Sequence, residues 1–153
     1  MKKETLQIVF IESNVALFIF LFVYTGVNKL MDYSAFRVVL SKSPLLSFAS
    51  SFIAWFLPVI ELIVSLILLM PFTRKLGLLI STSLMATFTF YLAYMIFFTP
   101  NLPCSCGGIF NNLNWTEHLI LNIVLLVIAF TAWWLSKSNQ RFIAINRNSR
   151  TPV

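Results

Sequence analysis

The chain has 153 residues, of which 59% are hydrophobic and 10% are charged, and its mean hydropathy is +0.87. This composition excludes an ordinary soluble domain, which needs far more charge to cover its surface. The net charge of +6 does not indicate a nucleic-acid partner, because the Lys and Arg residues stand at the ends of apolar segments. In lipid the backbone N–H and C=O groups must hydrogen-bond to one another, and only helices and closed barrels achieve this. The apolar runs are continuous rather than alternating, so the sequence predicts helices.

Four apolar segments predict four transmembrane helices, at about residues 6–27, 46–70, 76–98 and 115–135. Each is long enough to cross a hydrocarbon core of about 30 Å at about 1.5 Å per residue. The connections are short, so neighbouring helices should pack antiparallel. The predicted fold is an all-α, antiparallel four-helix transmembrane bundle over residues 1–135. A basic cytoplasmic tail is predicted over residues 136–153.

The loop after the first helix contains a predicted helix of its own. Asp32 is a suitable N-cap, and Phe36, Val39 and Leu40 then fall on one face at helical spacing. This pattern predicts a short helix that lies on the membrane surface.

The distribution of basic residues predicts the orientation of the bundle. Eight Lys and Arg residues belong to one side and three to the other, which places both termini in the cytoplasm of a bacterial inner membrane. Glu12, nearer the cytoplasmic end of the first helix, is expected to extend towards the membrane surface. The cytoplasmic set is Lys2, Lys3, Arg74, Lys75, Lys137, Arg141, Arg147 and Arg150, and the outer set is Lys29, Arg37 and Lys42.

The only two cysteines, Cys104 and Cys106, lie in the predicted outer loop between the third and fourth spans. Pro103 and the Gly107-Gly108 pair indicate a tight, exposed turn. Two adjacent thiols in an oxidising compartment tend to form a disulfide. A bridge across one intervening residue closes a small, strained ring, and strained, exposed disulfides are typically the labile and catalytic ones.

Three interpretations of the cysteine pair remain open at this point. The pair can exchange disulfides, bind a soft metal such as Cu(I) or Hg(II), or form a static turn. A purely structural disulfide here would add little stability, because the loop that it closes is very short. The metal interpretation lacks further thiol ligands, although His118 is a candidate third ligand.

Several polar residues within or beside the predicted spans are candidates for a site beneath the cysteines. Glu61 lies near the middle of the second span, where a carboxylate is costly and usually has a partner. On the fourth span Trp115, His118 and Asn122 share one face. By their depth in the membrane Asn122 and Glu61 could meet in the core, and Lys29 could reach down from the outer end of the first helix. The alternative is that Glu61 only fixes the packing of the helices.

With these features in view, the chain resembles the DoxX-like superfamily and, within it, the MauE family of redox-associated membrane proteins. The resemblance covers about residues 8–135. The matching features are Gly26-Val27-Asn28-Lys29-Leu30, Phe36 with Ser43-Pro44, Pro58-x-x-Glu61-Leu62, Pro103-Cys104-Ser105-Cys106-Gly107, and Trp115 with Asn122.

The resemblance implies disulfide formation or thiol electron transfer at the outer face of the inner membrane. MauE-type proteins are associated with maturation of the disulfide-rich small subunit of methylamine dehydrogenase. The architecture is also similar to that of membrane disulfide oxidoreductases that pass electrons to quinone and have two cysteine pairs. Here, a quinone or a thioredoxin-like partner is the expected electron acceptor. The expected partners are the lipid bilayer and a cysteine-containing substrate protein.

The leading hypothesis is therefore a membrane thiol–disulfide exchange protein in which Cys104 and Cys106 react. The sequence does not say which of the two cysteines is the attacking one. Lys29, Glu61, Trp115, His118 and Asn122 would line the site beneath them, with no metal ion in it. The rival hypothesis is a non-enzymatic membrane subunit or carrier that binds a soft metal ion or a partner protein.

Overall fold

A computed structural model describes the backbone of residues 2–43, 45–98 and 115–148, and the side chains of residues 5–43, 45–98 and 115–137. These residues form helices and turns, with no strand among them, so the all-helical prediction is confirmed. A single 3-10 turn, Ser47–Ala49, precedes the third helix. The helices are α1 (Lys2–Met31), α2 (Tyr33–Ser41), α3 (Ser50–Leu69), α4 (Arg74–Phe98) and α5 (Trp115–Asn148).

Four of these helices are long and apolar enough to cross a membrane, which makes the chain a multi-pass membrane protein. The candidate spans agree with the four predicted ones to within a few residues at each end. The backbone of α5 stays helical to Asn148, well past the predicted end of its span at residue 135. The candidate spans are Thr5–Met31, Ser47–Leu69, Arg74–Phe98 and Trp115–Lys137.

The four long helices pack as a ring in the order α1, α3, α4, α5, so that α3 and α5 occupy opposite corners. Neighbouring helices of the ring run in opposite directions. We call the end at which α1 and α4 finish and α3 and α5 begin the α2 end. The opposite end, where residues 70–73 join α3 to α4, is the turn end.

The half of the bundle towards the turn end has an apolar core. Its buried side chains interlock from all four long helices, and the larger apolar side chains on the outside of the bundle face lipid. The small Ala129 and Ala132 are both fully buried and let α5 approach its neighbours closely. The buried core residues are Val15, Phe18, Phe22, Val64, Leu68, Leu78, Met85, Ala129 and Ala132.

The short helix α2 confirms the amphipathic segment predicted in the first loop. Leu40 is buried and Phe36 and Val39 are half-buried, whereas Arg37 and Val38 between them are exposed. Asp32 occupies the N-cap position, but its side chain makes no capping hydrogen bond. Its backbone carbonyl instead accepts a hydrogen bond from the Phe36 amide at 3.0 Å.

Two hydrogen bonds attach this region to the long helices. The Tyr33 hydroxyl donates to the Ser51 carbonyl of α3 at 3.2 Å. The hydroxyl of Ser43, a fully buried residue, lies 3.5 Å from the sulfur of Met95 on α4. The surface helix therefore covers the α2 end of the bundle from a fixed position.

Candidate functional site

Gly26 packs against α3 at Pro58, in the half of the bundle towards the α2 end. A Cβ atom at position 26 would lie 3.2 Å from the Pro58 carbonyl oxygen and 3.3 Å from Cγ of Leu62. Both contacts are tight, so glycine is what lets the two helices come this close. The close approach of these two antiparallel helices lets the long side chain of Lys29 reach Glu61 on α3.

Glu61 is 1% exposed and is held by two side chains from one face of α1. Its Oε1 forms an ion pair with the ammonium group of Lys29, and the Thr25 hydroxyl lies 3.2 Å from its Oε2. Thr25 and Lys29 are four residues apart, so they are adjacent on the helix surface and hold one carboxylate oxygen each. Lys29, which the sequence suggested could reach down from the end of the first helix, has Glu61 as its partner in the structure.

The Thr25 hydroxyl can accommodate Glu61 in either protonation state. Its oxygen is 2.9 Å from the Leu21 carbonyl as well as 3.2 Å from Glu61 Oε2. A hydroxyl carries one proton and two acceptor lone pairs. When Glu61 is ionised, Thr25 can donate to it; when Glu61 is protonated, Thr25 can donate to Leu21 and accept from the carboxyl group.

Aromatic rings from two other helices surround the Lys29 ammonium group. Its nitrogen lies 5.7 Å from the ring centre of Phe36 on α2 and 5.2 Å from that of Phe88 on α4, both within cation–π range. The Lys29 side chain is 20% exposed. We call Thr25, Lys29, Glu61, Phe36 and Phe88 together the Lys29 site.

A known protein family covers the Lys29 site and most of the chain. Residues 7–135 match the family described as methylamine utilisation protein MauE. The chain belongs to the MauE family. No curated protein and no solved structure matches the chain. The matched range includes every residue of the Lys29 site, both cysteines and the first two-thirds of α5.

Asn122 and His118 of this MauE family member lie on α5, at the corner of the ring opposite α3. Asn122 is 7% exposed, and its amide donates to the His118 carbonyl at 3.0 Å. Among the described residues no hydrogen bond joins Asn122 to Glu61, and the helices that carry them, α5 and α3, are not in contact. Glu61 faces α1, because α1 and not α5 is the neighbour of α3.

The first turn of α5 nevertheless approaches the site from its own side. His118 is half-buried in the first turn of α5, at the α2 end of the bundle. Trp115, the first residue of α5, is half-buried at the same end of the bundle. In the ring of helices α1, which carries Lys29, is a neighbour of α5, whereas α3, which carries Glu61, is not.

Thr25, Phe36 and Phe88 are site residues that the sequence analysis did not assign. The spacing of Thr25 four residues before Lys29 was the one available signal. Phe36 was noted as part of the surface helix and of the family resemblance but not as a site residue, and Phe88 is one of 16 phenylalanines with nothing local to distinguish it.

The two cysteines lie outside the described residues, as does the rest of the segment at 99–114. The chain enters this segment from Phe98 and leaves it at Trp115, and both of these residues are at the α2 end. Within the described ranges no group of three or more His, Cys, Asp and Glu side chains is placed to hold a metal ion.

A second ion pair lies in the other half of the bundle. Arg74, the first residue of α4, pairs with Glu12 of α1, and these side chains are 31% and 50% exposed. Glu12 therefore has a basic partner near the turn end, where the sequence analysis expected it to extend towards the surface.

Proposed function

We propose that this protein exchanges thiols and disulfides at the membrane surface through Cys104 and Cys106. The observation that supports it most is the position of the pair in the chain. The only two cysteines, one residue apart, belong to the segment that connects α4 to α5 at the α2 end, the end that also holds the Lys29 site. We further propose that the chain belongs to the DoxX-like superfamily.

The α2 end would face the oxidising side of a bacterial inner membrane. Of the basic residues near this end, Lys29 is already paired with Glu61, which leaves Arg37 and Lys42 on the surface helix and its cap. The turn end carries Arg74 and Lys75, and α5 continues beyond the bundle on that side with further basic residues. Basic residues concentrate on the cytoplasmic side of membrane proteins, so both termini would be cytoplasmic.

The exchange reaction transfers two electrons and two protons from two thiols of the partner to the Cys104–Cys106 disulfide. A thiolate of the partner attacks one sulfur of the Cys104–Cys106 disulfide, forming a mixed disulfide and releasing the other cysteine. A second thiolate of the partner then breaks the mixed disulfide. The partner loses two electrons and two protons and gains a disulfide, while Cys104 and Cys106 become two thiols.

Renewal of the disulfide requires an acceptor of two electrons and two protons. A quinone would become a hydroquinone, and the disulfide of a thioredoxin-like protein would become a dithiol. In either case protons leave the cysteines together with the electrons. The physiological substrate would be a cysteine-containing protein on the same side of the membrane.

Glu61 would serve as the proton-handling group beneath the cysteines. It is buried, its neighbour Thr25 suits both of its protonation states, and Lys29 connects it to the exposed α2 end. His118, Asn122 and Trp115 would line the α5 side of this region. A carboxyl group so placed can take up or release a proton without leaving the protein interior.

Trapping of the mixed disulfide tests this function. Cys104→Ser and Cys106→Ser variants, expressed separately, should differ: the one that keeps the attacked cysteine but loses the resolving one accumulates an adduct that reductant removes. The variant with both substitutions is the matched control and should form none. Absence of an adduct in both single variants, with wild-type cysteines permanently reduced in cells, would refute the proposal and favour a metal-binding or partner-binding subunit.

The orientation has its own test. A membrane-impermeant maleimide added to intact spheroplasts should label reduced Cys104 or Cys106. Labelling that requires lysis would place the cysteines in the cytoplasm and remove the argument from an oxidising compartment.

A further inference from the structure

The charge of the chain is divided unequally between the two halves of the bundle. The half towards the α2 end has three basic and three acidic residues, so its formal charge is zero. The other half, with the end of α5 and the residues after it, has eight basic and two acidic residues and holds the whole net charge of +6. Such an excess attracts anionic partners. The residues of the neutral half are Lys29, Arg37, Lys42, Asp32, Glu61 and Glu117, and the two acidic residues of the other half are Glu4 and Glu12.

The basic side chains that the structure describes at the turn end belong to two adjacent helices. Arg74 and Lys75 begin α4, and Lys137 ends the span of α5. Leu78 of α4 and Ala132 of α5 belong to one buried cluster, and these two neighbouring helices run in opposite directions. Lys75 and Lys137 each lie about one turn beyond that cluster, so they reach the same surface of the bundle.

Tryptophan side chains place this surface at the level of the lipid headgroups. Trp133 packs against the buried cluster, and Trp134 beside it is exposed on the outside of α5. The ammonium nitrogen of Lys137 lies 5.4 Å from the ring centre of Trp133, within cation–π range. Tryptophan is enriched where the hydrocarbon core meets the headgroups, and a lysine at that depth extends its charge towards them.

The turn between α3 and α4 adds apolar side chains at the same end. Phe72 is 99% exposed and Met70 is also exposed, and they directly precede Arg74 and Lys75. Cations beside exposed apolar side chains are typical of segments that lie in the membrane interface, where the cations contact phosphates and the apolar groups enter the acyl region. A soluble acidic protein would satisfy the charges but would leave the apolar side chains in water. The combination therefore favours a lipid as the partner.

We propose that the turn end binds an anionic phospholipid, whose phosphate group contacts Lys75 and Lys137 and whose acyl chains lie against Trp134. The described side chains at this end include three cations and one carboxylate, that of Glu12, so positive charge is in excess. A phospholipid with a net negative charge should therefore be preferred over a zwitterionic one. The site lies at the opposite end of the bundle from the Lys29 site and requires no thiol chemistry.

Quenching of tryptophan fluorescence by brominated lipids tests the proposal on the full chain. Trp55→Phe with Trp115→Phe removes the two tryptophans of the other half and leaves Trp133 and Trp134 as reporters. This reporter protein is placed in phosphatidylcholine vesicles that contain increasing fractions of brominated phosphatidylglycerol or, for comparison, brominated phosphatidylcholine. We expect phosphatidylglycerol to bind at least about fivefold more tightly at low salt, and high salt to reduce the difference.

Removal of charge at the site and at the opposite end provides the matched comparison. In the reporter protein, Lys75→Gln with Lys137→Gln should abolish the preference for phosphatidylglycerol. Arg37→Gln with Lys42→Gln removes two charges from α2 and its cap and should keep the preference. Lys75→Arg with Lys137→Arg retains both cations and should keep it as well. Helix content, measured by circular dichroism, controls for folding in each variant.

Three outcomes would overturn the proposal. Equal affinity of the reporter protein for the two brominated lipids would mean that the turn end selects no headgroup, and an acidic protein would then be the better candidate partner. A preference that persists in Lys75→Gln with Lys137→Gln would place the lipid elsewhere. An equal loss in Arg37→Gln with Lys42→Gln would show that the net charge of the chain, rather than the turn end, attracts the lipid.

Discussion

The bundle contains two ion pairs that begin on the same helix, and their surroundings differ sharply. Glu61, the carboxylate partner of Lys29, is 1% exposed, whereas Glu12, the partner of Arg74, is 50% exposed. Water or lipid headgroups can solvate the second pair but not the first. An exposed pair adds little to stability, whereas a buried carboxylate is tolerated only while its partner is present.

The two pairs also differ in what surrounds the cation. Lys29 is enclosed by Phe36 and Phe88 and faces the end of the bundle from which the cysteine segment departs. Arg74 stands beside the tight turn between α3 and α4, where it links α1 to α4. Burial, aromatic contact and position together indicate a site at Lys29 and a structural contact at Arg74.

The largest expected effect is the loss of one partner from the buried pair. Lys29→Met should leave Glu61 charged and unpaired, or force it to stay protonated, at a cost of about 3–5 kcal/mol in the free energy of unfolding. Denaturant titration in mixed micelles measures this. Adding Glu61→Leu to the same chain should recover most of the loss, and a variant without such recovery would contradict our account of the pair.

Glu61→Gln distinguishes proton transfer from packing. Glutamine keeps an oxygen for Lys29 but carries no exchangeable acidic proton, so we expect thiol exchange to slow about 100-fold at normal protein abundance. Alkylation of the cysteines in cells would find them held in one redox state. Glu12→Gln is the matched control and should exchange normally. A wild-type redox state in Glu61→Gln would leave Glu61 as a packing residue only.

Gly26 in α1 lies beside the Lys29 site and Gly77 in α4 lies at the turn end, so alanine variants at these positions compare the two regions. Gly26→Ala would place a methyl group 3.2 Å from the Pro58 carbonyl, which is backbone and cannot turn away, so α1 and α3 must separate. We expect about 1–3 kcal/mol of destabilisation and slower thiol exchange, because separation stretches the Lys29–Glu61 pair.

Gly77→Ala provides the control at the turn end. Its methyl group would come within 2.8 Å of Leu68 Cδ2, so it too is destabilising, but it leaves the Lys29 site untouched. Exchange per folded molecule should therefore stay normal. Equal exchange rates in the two glycine variants would show that the α1–α3 contact at Gly26 does not support the site.

The smallest effect should come from the exposed pair. Arg74→Gln is expected to change the free energy of unfolding by about 0–1 kcal/mol, and the difference should shrink as salt is added. Denaturant titrations at low and high ionic strength measure it. A large, salt-independent loss would mean that Arg74 is as tightly held as Lys29.

The sequence by itself determined the number of the membrane spans and their limits to within a few residues, because crossing a bilayer demands about 20 apolar residues whatever the neighbours are. It determined the surface helix as well, since the spacing of Phe36, Val39 and Leu40 fixes one apolar face. Glu61 was marked as a site residue by the cost of a carboxylate at that depth.

Only the tertiary structure decided which side chains meet. Helical periodicity assigns Glu61 and Asn122 to faces of their own helices, but the order of the helices around the ring decides what each face contacts. That order set α1 beside α3 and placed α5 at the opposite corner, so Glu61 pairs with Lys29 and Thr25 and not with Asn122. Phe36 and Phe88 converge on Lys29 for the same reason: packing between helices, which no local pattern encodes, brings distant residues to one point.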